Sequence, residues 1–307
     1  MTDMNHEVRT TTVALERDPP GRWKKIMQLI MFAKHLKSLA IPELVKRAKQ
    51  FGIDGYDWPV RPGYAVNPQN VATALPEFAR AMQSEGMTVP MCTADGFLSN
   101  PEEPTVEPTL AAMGATGAKY FKIGYDKFVS DRPYWQQVDE ARARLEKWQA
   151  LGRKHGVMVC CHTHSGPYLG CNASAVMHLV RGFDPRIVGA YLDAGHLSIA
   201  GEPFPMACAI AGDHLKIVGV KDLRKVWGER DGKAVVQIEA VPKGKGLTDP
   251  ALVFGTLVRL GFDGPVTIHI EYPGSLADLL RASELETRSY REDWMRAIAA
   301  AGGPAGN

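Results

Sequence analysis

The segment "VMVCCHTHSGPYLGCNASAVMHLVRGFDPRIVGAYLDAGH", residues 157–196, decides how the chain folds. It opens with an apolar run over 157–164 that reads as a buried strand. Helix-spaced apolar residues follow over 173–182, and a second buried strand over 187–196. Strand, helix and strand in immediate succession are the repeating unit of a parallel sheet.

The same rhythm runs along the chain on both sides of this segment. Strands are predicted over 26–33, 53–60, 87–94, 118–125, 215–222 and 265–272, and helices over 41–52, 68–85, 107–117, 134–155, 203–212, 249–260 and 275–300. Eight strand–helix units predict a single-domain (β/α)8 TIM barrel over 23–300, with a polar arm at 1–22 and a tail at 301–307. An open doubly wound sheet that binds dinucleotides carries a glycine-rich turn after its first strand. "IMFAKHLKSL" (30–39) has no such glycines. In the long loop after the seventh strand, "VWGERDGKAVVQIEAV" (226–241) holds an Asp-Gly pair between extended flanks, which predicts a hairpin.

Composition narrows the partners. Of the 307 residues, 45% are hydrophobic and 23% charged, and the net charge is +2, so no strong field favours nucleic acid or an anionic membrane. No apolar stretch is long enough to span a bilayer, and the N-terminal stretch lacks the apolar core of a signal peptide. The five cysteines are odd in number and form no C-x-x-C pair, and adjacent Cys160 and Cys161 point to opposite strand faces. Reduced thiols and a cytoplasmic setting are expected.

Barrel enzymes place their chemistry at the C-terminal ends of the strands. Read with strand alternation, those ends deliver Asp57 from strand two, Lys122 from four, His162 and His164 from five, Asp193 from six, Lys221 from seven, and His269 with Glu271 from eight. A charge on a buried apolar strand is costly unless it is paired or bound to a metal. These side chains therefore predict one polar chamber. Alternation sets Tyr125 opposite Lys122, and Trp58 opposite Asp57, where a helix-packing role suits it. Trp227, in the long loop, is a candidate lid residue. "VPKGKG" (241–246) either offers amides and lysines to a phosphate or is a solvated turn.

"FGIDGYDWPVRPGYAVNPQNV" (51–71), "YLDAGHLSIAGEP" (191–203), "VKDLR" (220–224), "VPKGKGLTDPALVFGTLVRLGFDG" (241–264) and "IHIEY" (268–272) together resemble the xylose isomerase-like TIM-barrel superfamily of sugar isomerases and epimerases. The resemblance implies one divalent metal held by Glu, Asp, His and Glu at the ends of strands five to eight. Asp193 and Glu271 match that set, His162 stands at the first Glu position, and Gly219 stands at the His position. The implied metal ligands are His162, Asp193 and Glu271, with Mn2+ as first choice and Zn2+, Co2+ or Mg2+ as alternatives. Three outcomes stay open at Gly219. Water or substrate fills the place, or His164 or His269 replaces the ligand, or Lys221 supplies the positive charge in place of a metal. His196 resembles the family's substrate-contacting histidine and Arg224 its substrate-binding arginine. His164, His269 and Asp57 are further candidate substrate contacts.

The expected chemistry is proton removal from a carbon next to a carbonyl or hydroxyl of a carbohydrate. Glu271, Lys221, Lys122 and His196 are the candidate catalytic groups. The first reading is a metal-dependent sugar isomerase or epimerase, and the second a lyase eliminating across an oxidised, 3-keto sugar or glycoside. Behind these stand a hydrolase like the apurinic-site endonucleases of the same superfamily and a non-catalytic sugar-binding barrel. The resemblance also implies a homo-oligomer.

Overall fold

The computed structural model describes residues 27–96 and 98–302, so the expected arm over 1–22 and residues 303–307 of the expected tail lie outside it. The barrel strands are β1 Gln28–Phe32, β2 Gly55–Pro59, β3 Thr88–Thr93, β4 Tyr120–Lys122, β5 Met158–His162, β6 Val188–Asp193, β7 Leu215–Val220 and, after a hairpin of β8 Asp222–Arg230 and β9 Lys233–Val241, β10 Pro265–His269. Between and after them run α1 Ile41–Phe51, α2 Val71–Gln83, α3 Val106–Thr116, α4 Tyr134–His155, α5 Ala173–Val180, α6 Ala194–Ala200, α7 Phe204–Ala211, α8 Pro250–Arg259 and α9 Leu276–Ala300. The eight barrel strands are parallel and close in the order β1-β10-β7-β6-β5-β4-β3-β2, which is the expected (β/α)8 barrel.

Strands buried on both faces read as continuous apolar runs, and all six residues of β6 are buried. Alternation splits each strand between two cores. Ile30, Met91, Met158, Cys160, Tyr191 and Ile217 fill the barrel interior, whereas Trp58, Phe121, Val159 and Cys161 pack outward beneath the helices. Cys160 and Cys161 therefore face opposite ways, and all five cysteines are free thiols. Trp58 packs edge-on against Phe78 of α2 at 4.9 Å and donates its Nε1–H to Val66 O, as a helix-packing residue would. Helix ends follow local chemistry. Asp249 caps α8 by accepting from Leu252 N, with Pro250 in the first turn, and Gly52 closes α1 at φ 70°.

Two segments depart from their expected bounds. An extra helix, α6, starts directly at the end of β6, because the Asp193 carboxylate accepts the His196 amide and caps it. The hairpin begins at Asp222, four residues before the expected start, and turns at Asp231 (φ 52°) and Gly232 (φ 73°), the left-handed pair that a tight hairpin needs. Trp227 stands on that hairpin 79% exposed and is absent from the chamber wall. The phosphate reading of "VPKGKG" also falls away. The amides of Gly244, Gly246 and Thr248 donate to the Asp222 carboxylate at 2.8, 2.7 and 3.0 Å, so the chain's own anion fills that cradle.

Candidate active site

The C-terminal ends of the barrel strands surround a cavity of about 300 Å3, at the small end of ligand sites. Its wall divides into two polar groups and a rim.

The first group comes from β5, β6, β7 and β10. Lys221, the residue after β7, is buried and directs Nζ to Glu271 Oε2 at 2.8 Å and Asp193 Oδ2 at 3.3 Å. Asp193, the last residue of β6, is fully buried and lies beneath the floor rather than on the cavity surface. Its Oδ1 caps α6 and its Oδ2 faces the site, so the helix-cap and site roles fall on different oxygens of one carboxylate. His162 Nε2 stands 3.4 Å from Asp193 Oδ2, and its Nδ1 hydrogen-bonds to the Tyr125 hydroxyl at 2.8 Å. His269 bridges Tyr191 OH at 2.6 Å and Glu271 Oε2 at 3.3 Å.

The second group comes from β2, β3 and β4. Thr93 Oγ1 donates to Asp57 Oδ1 at 2.6 Å, while Asp57 Oδ2 and Lys122 Nζ are buried with no hydrogen-bond partner. Lys122 Nζ sits 3.5 Å above the Tyr125 ring. At the rim, Lys34 donates to Glu271 Oε1, and Arg61 donates to Ala94 O and covers the Phe32 ring.

These environments drive the two lysines apart. Burial would lower Lys221, but the Asp193 and Glu271 carboxylates outweigh it and hold the ammonium charged. Lys122 lacks such a partner, and burial followed by the Arg61 charge pulls it down to about 7. Burial pushes Asp57 up to about 6 against the Thr93 hydrogen bond. Burial would also raise Asp193 and Glu271, but Lys221, with the neighbouring imidazoles, holds both well below the usual carboxylate range. Burial pulls His162 down to about 3 and His196 well below its ordinary value, so both rings are neutral near pH 7.

The structure brings Asp57, Lys122, His162, His164, Lys221, His269 and Glu271 to one cavity. His196 does not reach its surface. That ring lies behind His164 at 4.1 Å, holds Ser165 Oγ through Nδ1, and leaves Nε2 buried without a partner. Arg224 is a correction. On β8 the hairpin register sets it opposite Glu239, and the two form an exposed ion pair away from the cavity. Tyr125 is another. β4 ends at Lys122, so alternation no longer governs Tyr125, and its ring enters the same cavity as Lys122. Tyr191, Tyr168, Arg61, Lys34 and Thr93 also line it. Tyr191 carried a legible signal, standing two residues before Asp193 on the same strand. Thr93 carried the same signal, two residues after the inward-facing Met91 on β3, whereas Tyr168 and Arg61 come from loops and Lys34 from a short 3-10 helix, Ala33–Leu36, where a period of two does not apply.

Comparison with known proteins fixes the family. The sequence profile described as "Xylose isomerase-like TIM barrel" matches residues 45–298, most of the chain. The chain belongs to the xylose isomerase-like TIM barrel family. It is similar to the inosose dehydratase of Lactiplantibacillus plantarum, 23% identical over 172 residues. That match covers 53% of this chain and spans only 57% of the relative's own length. Among solved structures the barrel superposes on the IOLI protein with a binding zinc atom at a TM-score of 0.69 and 14% identity, covering 89% of this chain and 99% of that one. It also superposes on the apo 3-keto-D-glucoside 4-epimerase YcjR from E. coli at 0.65 and 17% identity, covering 86% and 99%.

In this xylose isomerase-like barrel the residues present do not fit the implied four-ligand metal set. His162, Asp193 and Glu271 are neighbours, yet the cationic atom shared by the two carboxylates is Lys221 Nζ. Gly219 offers no ligand, and among the described residues no group of three or more His, Cys, Asp or Glu side chains is arranged to hold an ion.

Proposed function

We propose that this barrel moves a proton at a carbon next to the carbonyl or hydroxyl of a monosaccharide-sized sugar, as an isomerase or epimerase. The observation that carries this reading is the pair of lysines lining one small cavity, one held charged by two carboxylates and the other pulled towards neutrality. A fixed ammonium donates to the substrate oxygen on which negative charge develops, and the geometry is set before reaction begins. An amine with a pKa near the working pH is suited to take a proton and return it. In this account Lys221 binds the oxygen and Lys122 carries the proton. Glu271 and Asp193, both held well below the usual carboxylate range, keep Lys221 charged and in place. Tyr125 orients His162 through Nδ1, and burial keeps that ring uncharged beside Asp193.

A second reading, dehydration by β-elimination, is favoured by Asp57. Its carboxyl, raised to about 6, lines the same wall as Lys122 with Oδ2 unpartnered, so a base and an acid are available together. Elimination needs that second group to protonate the departing hydroxyl. The similarity to an inosose dehydratase points the same way.

The test is proton NMR in D2O on a panel of ketohexoses, 3-keto-glucosides and keto-inositols incubated with enzyme. Deuterium entering next to the carbonyl, with an epimeric or isomeric product, supports the first reading, and an unsaturated product supports the second. A panel that shows neither exchange nor loss of water refutes both.

A further inference from the structure

We infer that Lys221 is the resident cation of this site: its ammonium takes the place between Asp193 and Glu271 that a divalent ion would need, and the barrel holds the substrate oxygen on a lysine without taking up a metal there. The inference rests on the proposed function for what Lys221 binds, but its test is independent of turnover.

Three observations support it. The first is the position of Nζ, 3.3 Å from Asp193 Oδ2 and 2.8 Å from Glu271 Oε2, on a side chain that is itself buried. An ion bound to these oxygens at roughly 2.0–2.2 Å would set a double positive charge directly against the Lys221 ammonium. Either cation satisfies the carboxylates, and the chain supplies one of them covalently.

The second observation concerns Gly219. A side chain there would enter occupied space. Its Cβ would lie 3.1 Å from Asp193 Oδ2, 3.1 Å from Tyr191 Cε2 and 3.2 Å from the Tyr191 hydroxyl. The Tyr191 ring thus fills the place of the missing ligand, and its hydroxyl engages His269 Nε2, while His269 Nδ1 faces Glu271. His269 therefore has both nitrogens engaged and is not a substitute ligand. The third observation is His162. Its Nδ1 is taken up by the Tyr125 hydroxyl at 2.8 Å, and its Nε2 lies 3.4 Å from the same Asp193 oxygen that faces Lys221 Nζ. Of the positions at which the family pattern expects a donor to a metal, Glu271 is paired with Lys221 and the place at Gly219 is filled by Tyr191, while His162 Nε2 and Asp193 Oδ2 face each other at 3.4 Å without a hydrogen bond.

The chemical consequence is a monovalent, hydrogen-bond-donating electrophile. It polarises one oxygen and supplies a proton donor at the same atom, and it does not activate a bound water as a divalent ion does.

Mn2+ titration of the full-length, tag-free protein after dialysis against a chelator tests the inference, followed by electron paramagnetic resonance and calorimetry. The expected result is no stoichiometric uptake by the wild type at millimolar Mn2+. Lys221→Ala should gain one Mn2+ per chain, bound at least about tenfold more tightly than by wild type, and Asp193→Asn in that background should abolish it. Wild-type protein that binds one Mn2+ per chain, lost in Asp193→Asn, overturns the inference. So does a folded Lys221→Ala protein whose Mn2+ affinity matches wild type. Should Lys221→Ala not fold, the wild-type titration alone decides. Deuterium exchange by a protein that takes up Mn2+ would overturn the inference and leave the sugar reading intact. A metal-free protein that acts on no sugar would do the reverse.

Discussion

Replacing Lys122 with Met should change how stability depends on pH, and the size of the change follows from the cavity. The amine is buried, has no hydrogen-bond partner, and is pulled from 10.5 to about 7 in the folded state. Between these values the unfolded chain holds the proton and the folded chain does not. Unfolding then takes up a proton, so stability rises with pH by at most about 1.4 kcal/mol per unit. Across the whole window the upper limit is about 5 kcal/mol, which is the cost of keeping the charged amine buried below pH 7. Met has nearly the same length and no charge, so Lys122→Met removes this contribution. Urea unfolding followed by circular dichroism at pH 6, 7, 8 and 9 would compare the two proteins. The variant should be the more stable by several kcal/mol at pH 6, and the gap should narrow from pH 7 to 9 at close to the stated slope. Parallel stability curves would show that Lys122 keeps its proton throughout, and the assignment of Lys122 as the proton carrier would fail with it.

Lys221→Met should do the opposite, leaving Asp193 and Glu271 facing each other without their shared cation. Removing one partner of a buried ion pair costs about 3–5 kcal/mol, measurable as a lower urea midpoint at pH 7 that recovers as the pH is lowered and the carboxylates protonate. Tyr125→Phe removes the partner of a buried imidazole nitrogen and should cost about 1–3 kcal/mol in the same assay. Asp222→Ala strips the acceptor from three amides of the 242–248 turn. Faster hydrogen exchange confined to that turn and the root of the hairpin should follow. Arg224→Ala breaks only an exposed pair with Glu239, so stability should change by about 0–1 kcal/mol, and KM for whichever sugar proves active should stay unchanged; a large rise in KM would return Arg224 to the site.

The barrel was legible because its strands are short apolar runs, each followed by a helix-spaced stretch, and nothing in the sequence competes with that alternation. Most of the chamber was legible for a related reason. Asp57, Lys122, His162 and Asp193 are polar residues inside apolar strands, and a period of two assigns them one face. The limit is where the strands stop. β4 is three residues long, so Tyr125 lies beyond the reach of alternation and swings to the side of Lys122. Lys34 arrives from the short 3-10 helix Ala33–Leu36 and Arg61 and Tyr168 from loops, and their paths depend on tertiary contacts. Arg224 was misplaced because the hairpin starts at Asp222 and its register, fixed by the Asp231-Gly232 turn, turns that side chain towards Glu239. The identity of the cation was hidden for a different reason. Gly219 marks a missing ligand in the sequence, but only packing shows that Tyr191 fills the gap and that Lys221 reaches both carboxylates.

The most direct measurement is a crystal structure of the protein with the tightest-binding ketose from the NMR panel. The account predicts the sugar in the chamber between Lys122 and Lys221, its carbonyl or hydroxyl oxygen within hydrogen-bond distance of Lys221 Nζ and the adjacent carbon facing Lys122. A sugar bound outside the chamber, or one whose oxygen is held by groups other than Lys221, would contradict it.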